Sequence, residues 1–244
     1  MFVKSGPSFA WTHCLADILS QKGALNNPQR FEQLRGAKMP IVAIDGSSAT
    51  GKTTIAKEVA RRLRGHTLDT GEILRSATLA ALELGLDPAL PASIVNQLST
   101  VRPDDDDPAK LYTVEIEQAV PIAAGSPVIQ EAMTSLLRSH VDSTKLYVIT
   151  GRSIGVDVFP DAALKVYLVA SAEVRAARKA AQLGINPSQA SNIIKQRDHM
   201  DKGRRVNPLR RHPAATEIDT TDCHPAEAAK VIIDSYRVIS MNLD

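Results

Sequence analysis

One eight-residue run with two fixed glycines restricts the fold of this chain more than any other feature. Residues 46–53 read Gly-Ser-Ser-Ala-Thr-Gly-Lys-Thr and match the pattern G-x-x-x-x-G-K-[ST]. The run follows the apolar segment 41–45 and precedes a stretch whose apolar residues fall on one helical face. Strand, glycine-rich loop and helix together are the context in which this pattern binds phosphate. A glycine-rich turn that matches by chance is the alternative, and the flanking segments argue against it.

Each part of this loop has a role in holding a nucleoside triphosphate. The glycines let backbone N–H groups point inward at phosphate oxygens, and the helix that begins near Lys52 adds the positive end of its dipole. The Lys52 ammonium can reach the outer phosphates, and the Thr53 hydroxyl can ligate Mg²⁺ as the predicted metal-binding residue. The ATP-binding residues predicted from the loop are Gly46, Ser47, Ser48, Ala49, Thr50, Gly51, Lys52, Thr53 and Thr54.

Apolar, strand-like segments alternate with helical patterns from Pro40 onward. This alternation is typical of a parallel sheet with helices on both faces, so the sequence predicts an α/β fold. The last helix is expected to open with Pro225, because proline is favoured in the first helical turn. The predicted strands are 41–45, 66–69, 146–150, 163–169 and 216–219, and the last helix is predicted over 225–240.

Composition narrows the classes of function. The net charge of +2, from 29 basic and 27 acidic residues, gives no basic excess for nucleic acid, and 4% aromatic residues offer few stacking platforms for single strands. No apolar run approaches about 20 residues, and the N-terminus lacks a secretory-signal pattern. Cys14 and Cys223 lie far apart without metal-like spacing and are expected to be reduced thiols. We therefore expect a cytoplasmic protein that binds neither membrane nor nucleic acid.

Residues 1–38 precede the first core strand and are predicted to form an N-terminal helical appendage to a main domain at 39–244. Trp11, Leu15, Ile18 and Leu19 fall at helical spacing. Their apolar face either packs on the flank of the domain or contacts a partner. Monomer and homodimer both remain open.

Residues 86–110 are punctuated by four prolines and end in the acidic run 104–107. Ligands of a hard cation have to converge from spaced positions, which a contiguous run of carboxylates does not achieve. This segment is therefore interpreted as a solvated loop rather than a metal site.

Three further motifs follow the glycine-rich loop in order. They are Leu-Asp-Thr-Gly-Glu-Ile-Leu-Arg at 68–75, Gly-Arg-Ser-Ile-Gly-Val-Asp-Val-Phe-Pro-Asp-Ala at 151–162, and the basic segment 194–209. Together with the loop they closely resemble the cytidylate (CMP) kinases of the bacterial type over residues 40–240. The resemblance implies a P-loop kinase fold with a five-stranded parallel core, an acceptor-binding lobe at about 71–140, and a mobile lid at about 184–212.

The lid candidate 195–211 contains seven Lys or Arg residues against two Asp. A solvated helix face or a nucleic-acid patch would also be basic. In a nearly neutral protein with a phosphate loop, this composition favours a phosphate clamp. By the resemblance, Arg197 and Arg204 close on the phosphates and the acceptor, and Asp201 accepts a hydrogen bond from a sugar hydroxyl.

The resemblance also implies binding residues outside the lid. Arg75 and Arg152 resemble the arginines that bind the acceptor phosphate, and guanidinium forks suit a phosphate held for in-line attack. Arg178 resembles a donor-nucleotide contact, with an ordinary surface arginine as the alternative. The implied catalytic residues are Lys52, Arg152, Arg197 and Arg204, and the implied acceptor-binding residues are Asp69, Thr70, Arg75, Tyr112, Arg152, Ser153, Asp201 and Arg204.

The positions that read cytosine in the family differ in this chain. The family uses a Ser and an Arg of the acceptor lobe and the Asp of a Gly-Arg-Asp triplet. Here the triplet ends in Ser153, Tyr112 aligns with the Arg, and 98–110 is too short for the hairpin that carries the Ser. A site without the hydrogen-bonding partners of a base loses discrimination of about 10⁴-fold or more. The sequence therefore predicts an acceptor that has a phosphate or sugar-like hydroxyls but is not a standard cytosine nucleotide.

A second difference from the family concerns the metal. Thr150 stands where the family has an Asp that helps to hold Mg²⁺ through water, and a neutral hydroxyl is a weaker partner for a hard cation. Asp69, at the end of the second predicted strand, is a candidate to compensate.

These features predict an ATP- and Mg²⁺-dependent small-molecule kinase, similar to the cytidylate kinases, that transfers the γ-phosphate to a phosphorylated acceptor. One alternative is a biosynthetic or salvage kinase for a modified nucleotide or for a non-nucleotide phosphate or alcohol. The alternative from another class is a nucleotide-binding regulator that has lost transfer, which Thr150 suggests.

Overall fold

Five parallel strands form the centre of the molecule, in the spatial order β2-β3-β1-β4-β5. The structure, a computed structural model, describes residues 39–101 and 106–240. The strands are β1 (Met39–Gly46), β2 (His66–Asp69), β3 (Tyr147–Gly151), β4 (Ala162–Val169) and β5 (Thr216–Asp219). The parallel sheet is confirmed, and every predicted strand matches an observed one to within two residues at each end.

Nine α-helices connect and cover these strands within the described residues. They are α1 (Lys52–Leu63), α2 (Thr70–Glu83), α3 (Pro91–Leu98), α4 (Pro108–Leu111), α5 (Val114–Gly125), α6 (Pro127–His140), α7 (Ala172–Leu183), α8 (Pro187–Lys202) and α9 (Pro225–Ser240). A single π-helical turn, Ile154–Val158, follows β3. The predicted last helix is confirmed as α9. The predicted appendage 1–38 lies outside the described residues.

The sheet is buried on both faces because alternate residues of each strand point to opposite sides. Ile41 and Ala43 of β1 belong to one apolar cluster, which α2, α3, α5 and α6 cover. Val42 and Ile44 belong to a second cluster, which α1 and α9 cover. This two-sided core confirms the prediction of helices on both faces. Among the described residues, no helix is long and apolar enough to cross a membrane.

The segment between β2 and β3 contains the helices α2 to α6 joined by short turns, and no strand or hairpin occurs in its described parts, 70–101 and 106–146. The interpretation of 86–110 as a loop was wrong over α3 and α4. Pro91 and Pro108 each occupy the first turn of a helix, where a missing N–H costs nothing. Asp107, from the acidic run, caps α4 by accepting the Ala109 N–H at 2.9 Å. Residues 102–105 lie outside the described part.

Candidate active site

The glycine-rich loop joins β1 to α1 at the carboxyl edge of the sheet, where β2 and β3 also end. Gly46 and Gly51 have φ of +152° and +89°, which side-chain-bearing residues rarely adopt. A Cβ atom at Gly46 would lie 2.5 Å from the Leu168 carbonyl oxygen of β4. Both glycines of the motif are therefore required by the backbone path, as the pattern predicted.

Lys52 begins α1 and reaches back across the loop. Its Nζ donates to the Ser47 carbonyl at 2.7 Å, and the Thr50 hydroxyl donates to the same oxygen at 3.0 Å. Desolvation, and then repulsion from Arg152, lower the pKa of Lys52 well below its usual value, against the pull of nearby carboxylates. Negative phosphate oxygens would oppose this shift, so the site is built for an anion beside the lysine.

Thr53 and Asp69 place hard oxygen ligands beside the loop. The Thr53 hydroxyl donates to Asp69 Oδ2 at 2.5 Å. The other oxygen, Oδ1, caps α2 by accepting the N–H groups of Gly71 at 2.8 Å and Glu72 at 3.1 Å. Burial alone would raise the pKa of Asp69, but the hydrogen bonds from Thr53 and the Glu72 backbone lower it, so the carboxylate is ionised.

These oxygens suit Mg²⁺, which in such sites takes one or two protein ligands and completes its shell with phosphates and waters. Within residues 39–101 and 106–240, there is no group of three or more His, Cys, Asp or Glu side chains that could hold a metal ion. A metal ion at this site therefore needs phosphate and water ligands as well. Thr150 of β3 pairs with Asp69 in the sheet and is buried. The Asp69 carboxylate at the end of β2 thus lies next to Thr150 and can take the place of the family's Asp.

A second buried carboxylate, Asp45, ties β1 to the segment after β3. It accepts the N–H groups of Ile154 at 2.7 Å and Gly155 at 2.9 Å, at the start of the π-helical turn. Burial raises the pKa of Asp45 to about 6, although both backbone hydrogen bonds act in the opposite direction. These bonds hold Gly151 and Arg152 beside the loop. This role was not predicted from sequence, where Asp45 was merely the end of a strand.

Three arginines converge on Asp201, which is fully buried. Its carboxylate accepts from Arg152 Nε at 2.5 Å and from Arg197 Nε at 3.0 Å, and it also pairs with Arg204. Burial alone would raise the pKa of Asp201, but the three guanidinium charges hold it well below its usual range. Three positive charges face one negative charge, so the cluster keeps a positive excess. The predicted contact of Asp201 with a sugar hydroxyl requires one of these ion pairs to open.

Two guanidinium atoms of this cluster lack a hydrogen-bond partner among the described residues. They are Arg197 Nη1 and Arg204 Nε, both buried. Burial lowers the pKa of Arg204 to about 10, which still leaves it charged at neutral pH. A buried donor without a partner is costly, and phosphate oxygens would satisfy both groups. The cluster is therefore incomplete without an anion.

A cavity extends from this cluster between α2, α6 and the π-helical turn. Its charged and polar end is formed by Thr70, Arg152, Arg197 and Arg204, and its other walls include Leu74, Gln130, Met133, Thr134, Leu137, Ser153, Val158 and Asn207. Thr70 donates from its hydroxyl to the Thr150 carbonyl at 2.9 Å. The Ser153 hydroxyl is buried and has no hydrogen-bond partner among the described residues.

Gln130 and Asn207 line this cavity and were not predicted as site residues. Asn207 Nδ2 donates to Thr134 Oγ1 at 3.0 Å and to Gln130 Oε1 at 3.4 Å. Gln130 Nε2 donates to the Ala124 carbonyl at 2.9 Å. Gln130 and Thr134 share one face of α6, a spacing visible in the sequence, but only the fold turns that face toward the arginines.

Tyr112 is not among the residues that line this cavity, and its role in binding the acceptor stays a prediction. The residue follows α4, and its ring lies over Arg75, 5.0 Å from the guanidinium carbon to the ring centroid. Its hydroxyl donates to Glu72 Oε1 at 3.3 Å. Tyr112 is therefore held against Arg75 and Glu72, while Gln130 of α6 lines the cavity.

Arg75 points from α2 into a buried ion pair. Its Nε and Nη2 donate to Glu117 Oε1 at 3.1 and 2.6 Å, and its Nη1 donates to the Gly71 carbonyl at 3.0 Å. Its charge acts on Arg152 and Arg197, so it lies close to the Asp201 cluster.

Arg178 of α7 is joined to the glycine-rich loop through Thr220. Arg178 donates to the Thr220 carbonyl at 2.6 Å, and the Thr220 hydroxyl donates to the Thr50 carbonyl at 3.0 Å. Arg178 is thus anchored to the segment after β5 rather than free on the surface. Its role as a nucleotide contact stays a prediction.

Arg175 and Asp198 are further residues at the loop that the sequence did not single out. Arg175 Nη1 donates to Asp198 Oδ2 at 2.6 Å and to the Ser48 carbonyl at 3.3 Å. The Ser48 N–H donates to Asp198 Oδ1 at 3.4 Å. Arg175 lies one turn before Arg178 on α7, which is the one sequence signal that could have indicated it.

Comparison with known proteins agrees with this geometry. The family model described as cytidylate kinase matches residues 42–238. A cytidylate kinase of Mycolicibacterium paratuberculosis is 34% identical over 216 residues, covering 81% of this chain and 95% of that protein. A cytidylate kinase of Streptomyces griseus is 35% identical over 198 residues, covering 75% of this chain and 86% of that protein.

Among solved structures, an uncharacterized protein from Eubacterium ventriosum has a similar fold. The TM-score is 0.51 at 14% identity, covering 81% of this chain and 98% of that chain. At this identity the likeness concerns the fold alone.

Proposed function

Because the chain belongs to the cytidylate kinase family of ATP-dependent nucleoside monophosphate kinases, we propose that ATP binds at residues 46–53. The acceptor phosphate then binds at the arginine cluster around Asp201. The acceptor ring then occupies the cavity beside Gln130 and Ser153. The observation that carries this proposal is the buried set of three arginines around Asp201, with two donors unsatisfied at the edge of a cavity.

The two phosphate sites lie next to each other, as direct transfer requires. The charges of Lys52 and Arg152 act on one another, and Asp201 also acts on Lys52. Phosphoryl transfer depends chiefly on positioning and on positive charge around the transferred group. Lys52 would hold the outer phosphates of ATP, while Arg152, Arg197 and Arg204 would hold the acceptor and the transferred group.

Mg²⁺ would be held by the Thr53 hydroxyl, with the Asp69 carboxylate beside it. When bound, the ion neutralises charge on the β- and γ-phosphate oxygens. The ionised Asp69 therefore favours an active kinase over a regulator without transfer, since the carboxylate missing at Thr150 is supplied by the neighbouring strand.

The ring end of the cavity is neutral, and this bears on the choice of acceptor. A carboxylate only accepts hydrogen bonds, so it selects the amino group of cytosine. Ser153 offers a hydroxyl that both donates and accepts. The Gln130 amide is held by its bonds with the Ala124 carbonyl and with Asn207, and it carries no charge that would select an amino group. Cytosine and uracil differ in the order of their donors and acceptors. We therefore propose that this site discriminates weakly between them and uses CMP and dCMP poorly.

The test is acceptor-dependent ADP release from ATP and Mg²⁺ with CMP, dCMP, UMP and a set of non-nucleotide phosphates and alcohols. We expect kcat/KM for CMP below about 10⁵ M⁻¹s⁻¹ and a ratio of CMP to UMP within about tenfold. Efficient turnover of CMP with strong rejection of UMP would contradict the altered acceptor site. ADP release that no acceptor stimulates would contradict the transfer itself.

A further inference from the structure

Glu117 is a buried carboxylate in α5 that contacts cations from two other helices. Its Oε1 accepts from Arg75 of α2, through Nε at 3.1 Å and Nη2 at 2.6 Å. The same oxygen lies 3.1 Å from Lys179 Nζ of α7. The Glu117 side chain is 1% exposed and that of Lys179 is 3% exposed. One carboxylate therefore links the acceptor lobe to the helix that precedes the lid helix α8.

The charges of this cluster are fixed at neutral pH. Burial alone would raise the pKa of Glu117, but Arg75 and Lys179 lower it to about 2. Burial lowers the pKa of Lys179 to about 8, and Glu117 partly opposes that shift. Two cations thus share one anion away from water. Removing the anion would leave both cations buried and repelling one another.

Glu117 also limits the directions in which Arg75 can bind a ligand. The guanidinium group has five N–H donors. Two are taken by Glu117 and one by the Gly71 carbonyl, and the ring of Tyr112 covers one face. Within the described residues, one N–H on each terminal nitrogen remains for a ligand. Arg75 Nη1 donates to the carbonyl of Gly71, which lines the cavity beside the arginine cluster, so these donors lie near the proposed acceptor phosphate.

We propose that Glu117 is a positioning residue, which holds Arg75 in the orientation that binds the acceptor phosphate and links it to Lys179 of α7, the helix before the predicted lid. This inference rests on the proposed function. Glu117 itself touches no reactant, and acts through Arg75. Its loss should therefore affect acceptor binding and leave ATP binding intact.

The first experiment compares Glu117→Gln with Glu115→Gln in the ADP-release assay, using the best acceptor among CMP, dCMP and UMP. Glu115 lies on the same helix and is exposed, so it is a matched control. We expect Glu117→Gln to raise the acceptor KM about tenfold or more, while the KM for ATP stays within about twofold. The control should leave both KM values unchanged. An equal rise in both KM values for Glu117→Gln would overturn the proposal.

A second variant separates positioning from charge balance. Glu117→Gln/Lys179→Met removes one negative and one positive charge, so the buried cluster keeps its net charge. We expect the acceptor KM to stay raised, because Arg75 still lacks its carboxylate. Recovery of the wild-type acceptor KM would show that Glu117 only balances charge, and would overturn the proposal.

A double-mutant cycle identifies the residue through which Glu117 acts. In an Arg75→Ala background, Glu117→Gln should change the acceptor KM by less than about twofold, because its target is gone. Effects of the two substitutions that multiply would overturn the proposal.

The wild-type protein in the same assay distinguishes this proposal from the proposed function. If no acceptor stimulates ADP release by the wild-type protein, the proposed function is contradicted. For that case, calorimetry with CMP gives an independent comparison, in which Glu117→Gln should weaken CMP binding about tenfold. Equal CMP affinity of wild type and variant would overturn the role of Glu117.

Discussion

At the scale of single residues, Lys52 is the side chain that we most expect to bind the outer phosphates of ATP. Its Nζ is 2.7 Å from a loop carbonyl, and its lowered pKa indicates that the charged form is destabilised until an anion arrives. The sequence predicted this residue and its neighbours in the loop, because the motif is local and its conformation depends on adjacent glycines.

We expect Lys52→Ala to reduce turnover by at least tenfold, because the substitution removes a charge aimed at the outer phosphates. The fold should be retained, as judged by circular dichroism and thermal unfolding. Lys57→Ala is the matched control, since Lys57 lies on the same helix and is exposed. Activity of Lys52→Ala above a tenth of wild type would mean that the loop lysine does not perform the predicted role.

The sequence identified Asp69 as a candidate metal ligand but could not predict which side chains surround it. Its position at the end of a predicted strand made it a candidate carboxylate for Mg²⁺. The sheet order then sets β2 beside β3, which pairs Asp69 with Thr150 and turns Oδ2 toward Thr53. Such pairing between strands about 80 residues apart depends on the topology, so the sequence left the outcome open.

At the scale of elements, α7 and α8 connect the glycine-rich loop with the arginine cluster, and α8 lies in the predicted lid 184–212. Gly184 ends α7 with φ of +66°, a conformation that favours glycine, and the chain reverses there into α8. Asp198 of α8 contacts the loop through one 3.4 Å hydrogen bond from Ser48, while Arg197 and Asp201 lie in the arginine cluster. Two long hydrogen bonds, from Arg175 to the Ser48 carbonyl and from the Ser48 N–H to Asp198, thus join these helices to the loop.

We expect the lid to become ordered when both substrates are bound, because phosphates would satisfy the unpartnered donors of Arg197 and Arg204. Hydrogen–deuterium exchange is the measurement. Peptides from 184–212 should exchange more slowly with CMP and a non-hydrolysable ATP analogue than in the free protein. Peptides from β4, buried in the sheet, serve as the internal control. Equal exchange of 184–212 in both states would contradict a gating lid.

At the scale of the whole molecule, buried carboxylates set how stability depends on pH. Asp45, with a pKa raised to about 6, binds its proton more tightly when folded, so stability should increase as the pH falls from about 6 toward 4. Glu117 and Asp201 have lowered pKa values, so their stabilising contribution is present above about pH 4.5 and is lost on further acidification. For these three carboxylates taken alone, the contribution to stability is greatest near pH 4.5 to 5.

Urea unfolding between pH 7 and 4 tests this dependence, with Asp45→Asn as the comparison. The neutral amide should remove a pH-dependent gain on the order of 1 to 3 kcal/mol over this range. The same pH dependence in wild type and Asp45→Asn would show that Asp45 does not titrate in this window. Because both proteins carry the same histidines, their titration cancels in the comparison.

The sequence by itself determined the features that depend on neighbouring residues. The glycine-rich loop, the five strands and the last helix follow from local spacing and periodicity, and the ordered motifs indicated the family. The prolines of 86–110 led to the wrong prediction of a loop. Pro91 and Pro108 instead begin helices, which are held in place because Ile94 and Leu111 are buried against the rest of the fold.

Only the tertiary structure decided which distant side chains meet. Gln130 of α6 lines the cavity beside the arginines, and the ring of Tyr112 covers Arg75. Glu117 joins Arg75 to Lys179, and Asp201 gathers Arg152 with two arginines of its own segment. The pairs Arg75–Glu117, Glu117–Lys179 and Arg152–Asp201 each join residues more than 40 positions apart. The physical reason is that a buried charge is stable only when it is paired with an opposite charge. Partners so far apart in sequence meet only when the whole chain has packed.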